Sequence, residues 1–140
     1  MRKMLIQDFC LIYKENSINL LYRKDGLWET HDFLDEYDQL LINTISDNFD
    51  GIIINIKNKS YEVQTSLIGS INVFSLVKDR FTFVGTNLDY MIEKSNFNLT
   101  YNERKLNDYF ALSYHALDDL SIYNDIKILQ KNTKIIITSE

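Results

Sequence analysis

The sequence predicts a single α+β domain, a layered sandwich with sheet stacked on sheet and helices outside. Three observations lead there. Apolar residues between Phe33 and Asn48 recur at helical spacing, the stretch after Gly51 switches to short apolar runs separated by polar turns, and Ile52-Ile53-Ile54 does not alternate. A strand whose apolar residues point both ways needs cover on both faces, which a sheet with one wet face does not provide.

The elements follow in order. Phe9–Tyr13 and Ile18–Tyr22 are apolar runs around the polar Lys14-Glu15-Asn16-Ser17, a hairpin pattern, and Asp25-Gly26 closes the second strand with a turn. A helix is expected from about Phe33 to Asn48, with Leu34, Tyr37, Leu41 and Ile45 on one stripe. Asp32, Asp35 and Glu36 then stand at its positive end, which gives the acids a structural explanation. Ile52–Ile56 and Tyr61–Thr65 flank one turn, Ile71–Val77 and Arg80–Val84 another, and the four strands are expected to form a meander.

A short helix is expected from about Leu88 to Lys94, with Leu88, Met91 and Ile92 inward and Asn87 or Thr86 as N-cap. A longer helix opens on Thr100-Tyr101-Asn102-Glu103, a capping box, and carries the stripe Leu106, Tyr109, Phe110, Tyr114. Ile126–Leu129 and Lys134–Thr138 complete the pattern as two strands around Gln130–Thr133.

The bulk properties set the class. The 140 residues fit one domain, 1–140, and at 45% hydrophobic and 25% charged they can form a core without staples. The net charge of −5 and the scatter of Lys and Arg argue against a nucleic-acid partner. The first residues are too short and polar for a signal peptide, and no run approaches the roughly 20 apolar residues of a membrane span, so neither secretion nor a membrane partner is expected. One cysteine excludes an internal disulfide and suits a reducing, cytoplasmic setting.

No residue set reads as a complete reaction centre. Cys10 is the only thiol, and its place inside an apolar strand favours a small buried hydrophobe over a nucleophile. His31-Asp32 resembles half of a hydrolase metal motif without the other ligands, and His115 with Asp118 and Asp119 matches no ligand spacing. Asp32, Asp35, Glu36 and Asp38 lack the glycine and alternating donors of a calcium loop. Gly26, Gly51, Gly69 and Gly85 are isolated, so no phosphate-cradling loop is expected. Catalytic, cofactor-binding and metal-binding residues are therefore all expected to be absent.

From Asp50 to about Thr138 the order of elements resembles the N-terminal glutaminase domain of asparagine synthetases. The resemblance rests on Asp50-Gly51-Ile52-Ile53-Ile54, Ser66-Leu67-Ile68-Gly69, Val73–Leu76, Phe81–Leu88, Leu99–Leu112 and Leu120–Leu129. It implies a four-layer αββα sandwich of the N-terminal-nucleophile type, and glutamine hydrolysis that feeds ammonia to an ATP-dependent synthetase domain. The functional residues of that family are not matched. Arg2 stands where its cysteine follows the initiator methionine, no proline exists for its Arg-Gly-Pro-Asp stretch, the Asn-Gly-Glu loop is missing, and Ser66-Leu67 replaces an arginine–aspartate pair. The expectation is a degenerate, non-catalytic glutaminase-like domain with a structural or substrate-side role in an ATP-dependent, amide-forming enzyme. The alternative is a stand-alone protein-interaction module on the same scaffold.

Overall fold

A computed structural model describes residues 2–15, 17–32, 36–42, 51–58, 60–65, 71–78, 80–96 and 126–138. The strands are β1 (Lys3–Ile6), β2 (Asp8–Lys14), β3 (Ser17–Lys24), β4 (Leu27–Thr30), β5 (Gln39–Ile42), β6 (Ile52–Lys57), β7 (Ser60–Gln64), β8 (Phe74–Lys78), β9 (Phe81–Gly85), β10 (Ile126–Ile128) and β11 (Lys134–Thr138). Among the described residues one helix, α1 (Leu88–Ser95), follows β9.

They form two sheets, β1-β5-β6-β7-β11 and β10-β8-β9-β2-β3-β4. Every pairing is antiparallel except β1 with β5. The chain passes from the first sheet to the second at Gln7, whose backbone N–H donates to the Arg23 carbonyl at 2.7 Å.

Hairpin geometry follows from local chemistry. β3 and β4 pair Lys24 with Leu27 across Asp25 (φ 53°) and Gly26 (φ 80°). Two central residues at positive φ make the tight turn whose twist matches its strands, and Asp-Gly adopts it at low cost. Three other hairpins also close over two residues, pairing Lys14 with Ser17, Lys57 with Ser60, and Lys78 with Phe81.

Alternation along β2 builds the layers. Phe9 and Leu11 face a core shared by both sheets, together with Leu20, Leu40, Ile52, Ile54, Tyr61 and Val63. Cys10 points the other way, into a second cluster with Leu76, Phe83, Met91 and Ile126 beneath α1. The observed order is sheet, sheet, helix. Asn87 caps α1, its side chain accepting from the Tyr90 N–H at 3.0 Å, and Asn96 ends it in the left-handed region. Among the described residues no helix is long and apolar enough to cross a membrane.

These findings overturn the expected α+β, four-layer αββα sandwich. Eleven strands and one helix make a predominantly β architecture among the described residues, with two stacked sheets and no flanking pair of helical layers. The decisive segment is β5, which occupies the middle of the helix expected over Phe33–Asn48. The helical stripe selects Leu41, but the structure buries its neighbours, Leu40 at 0% and Ile42 at 4% exposure, and leaves Leu41 half-buried. That alternation has the period of a strand, and pairing with β1 and β6 supplies both ladders of hydrogen bonds. Residues 36–38 of the expected helix are not helical either, residues 33–35 and 43–48 lie outside the described residues, and so does the whole of the helix opening at Thr100.

Two further expectations change. The hairpins β6–β7 and β8–β9 belong to different sheets and so do not make one meander. Likewise β10 pairs with β8 and β11 with β7, so these strands do not form a hairpin with each other. The crossing between them is clasped by Thr65, which donates to the Gln130 carbonyl at 3.0 Å and accepts from the Thr133 N–H at 2.8 Å. Ile52 and Ile54 are fully buried while Ile53, on the outer face, is half-buried.

Candidate functional site

The strongest polar constellation in the interior joins His31 to Tyr61. His31 follows β4, and its backbone N–H donates to the Leu20 carbonyl at 2.8 Å, extending the contact with β3. The same placement turns its ring inward, to 7% exposure. Nδ1 then lies 2.7 Å from the Tyr61 hydroxyl, with the rings edge to face at 76°. Tyr61 belongs to β7 in the other sheet and is 1% exposed. The hydrogen bond therefore spans the sandwich.

Burial, and secondarily the charge of Asp32, push the Tyr61 phenol above its ordinary range and keep it protonated. A protonated phenol can donate to Nδ1, which suits a structural tie. The sequence offered no sign of this pairing. The two residues are 30 positions apart on different sheets, and only the inward phase of Tyr61 beside Val63 marks it as a core aromatic whose hydroxyl needs a partner.

Cys10 is 0% exposed in β2, opposite Leu21 and Gly85. Burial pushes its thiol from 9.0 up to about 12, against a smaller opposing pull from Lys94. The thiolate that nucleophilic chemistry needs is thus disfavoured in the folded protein. Gly85 lets β2 and β9 approach this closely: a Cβ there would meet the Phe9 carbonyl oxygen at 2.5 Å and the Met91 sulfur at 3.2 Å.

The acidic cluster has a different role from the expected helix start. The Asp38 carboxylate accepts from the Arg2 backbone N–H at 3.0 Å, Glu36 pairs with the Arg2 guanidinium, and that guanidinium lies 5.1 Å from the Tyr37 ring centre. These contacts hold the start of β1 against the approach to β5. Arg2 is thus engaged with Glu36, Tyr37 and Asp38. Asp35, Ser66, Leu67, Gly69, His115, Asp118 and Asp119 lie outside the described residues.

A second polar group sits where the chain changes sheets. The Asp8 carboxylate accepts from the Arg23 guanidinium and from the Thr86 hydroxyl at 2.9 Å, and the Thr86 oxygen accepts from the Phe9 N–H at 3.1 Å. These bonds fix the corner, while the buried Arg23 Nε has no hydrogen-bond partner among the described residues. A third feature is an open crevice of about 240 Å³ lined by Tyr13, Thr82, Ile136, Ile137 and Thr138. Its lining holds hydroxyls and aliphatic carbons, with no thiol, imidazole or charged side chain. Among the described residues no group of three His, Cys, Asp or Glu side chains is placed to hold a metal ion.

Comparison of the chain with family models, with curated proteins and with solved structures returns no match.

Proposed function

We propose that this chain is a non-catalytic β-sandwich module that works by contact with another protein. The observation that carries the reading is the burial of Cys10, the one thiol in the sequence, beneath α1. Both ring and hydroxyl of the His31–Tyr61 pair are committed to the interior, away from any substrate in solution. Exposed aliphatic side chains on four strands, Leu5, Leu27, Val77 and Ile136, at 63–69% exposure, offer apolar contact area instead. The test is ammonia release from glutamine by the purified chain and by Cys10→Ala. Equal, background-level release is expected. Release by the unmodified chain above that of the variant overturns the reading.

A second reading places the module beside an ATP-dependent, amide-forming enzyme related to asparagine synthetases, as a folding partner or substrate wall. What favours it is that two sheets share one core, with the consecutive hairpins β6–β7 and β8–β9 contributing one to each sheet. A synthetase encoded next to this chain should then release pyrophosphate from ATP faster in its presence. Equal rates with and without the chain count against it.

A further inference from the structure

We draw no further inference here: the strongest candidate, the open crevice lined by Tyr13, Thr82 and Ile136–Thr138 at the β11 edge, carries nothing because nothing in the structure shows what covers it.

Discussion

The hydroxyl of Tyr61 meets Nδ1 of His31 at 2.7 Å across the interior, so one hydrogen bond ties β7 of the five-stranded sheet to the end of β4 in the six-stranded sheet. Most of the shared core is held by non-directional apolar contact. A directional bond within it adds a constraint on how the sheets are offset.

Tyr61→Phe removes the hydroxyl and leaves the ring nitrogen of His31 in a site built for a polar partner. Loss of one partner from a buried hydrogen bond costs about 1–3 kcal/mol, because the remaining group keeps its desolvation penalty. Denaturant unfolding should give that loss with an unchanged m-value. His31→Phe should be destabilising as well, and the double variant should cost less than the sum of the two. Additive losses would mean that the two groups do not act as a pair.

The thiol of Cys10 supplies a second prediction, in two parts. In the native protein at pH 8 a disulfide reagent should react about 10³-fold or more slowly than in denaturant, because access requires opening against several kcal/mol of stability. The pH dependence has a definite sign. The folded thiol has a pKa raised from 9.0 to about 12, so the folded state favours the protonated form. Its contribution to stability is fully present below pH 9 and is lost as pH rises from 9 towards 12. Urea unfolding of the parent and of Cys10→Ala should therefore converge over that interval, since only the parent carries the thiol.

How far the sequence reveals this molecule depends on the range of the interactions involved. The hairpins that pair Lys24 with Leu27 and Lys57 with Ser60 are legible because short polar stretches between apolar runs specify a hairpin locally. Helix α1 is legible because Asn87 caps it and Met91 lies on its buried face. The sheet to which a hairpin belongs is not local information, so the separation of β6–β7 from β8–β9, and of β10 from β11, escapes a pattern reading. The short strands β1, β4 and β5 have four residues each, too few to establish a period against a competing helical stripe. For the candidate site, the burial of Cys10 follows from its apolar neighbours. The His31–Tyr61 contact does not, because it exists only once two sheets have stacked.

Gly85 tests the closeness of β2 and β9. Its φ lies in ordinary extended space, so the constraint on this residue is steric. In Gly85→Ala the new methyl would stand 2.5 Å from the Phe9 carbonyl oxygen, a backbone atom that accepts from the Thr86 N–H and belongs to a strand paired on both edges. The flexible Met91 side chain can move away, but the backbone cannot do so without parting the strands. Overpacking of this kind costs about 1–3 kcal/mol. Thermal unfolding should show a lower midpoint. An unchanged midpoint would mean that β2 and β9 separate freely at this position.

The β5 segment gives the most direct test of the architecture, since helix and strand predict opposite outcomes for adjacent leucines. In the strand Leu40 is fully buried between Met4 of β1 and Ile54 of β6, and Leu41 is turned to the outer face beside Leu5 and Ile53. Leu40→Ala should therefore cost about 2–5 kcal/mol, through lost transfer energy and the cavity left behind. Leu41→Ala should cost about 1 kcal/mol or less, the usual scale for a half-exposed site. A helix with Leu34, Tyr37, Leu41 and Ile45 on its buried face predicts the reverse ranking, with Leu41 the sensitive position. Chemical denaturation of the two variants distinguishes these cases. A larger loss at Leu41 than at Leu40 would remove β5 from the five-stranded sheet and leave β1 without its parallel neighbour.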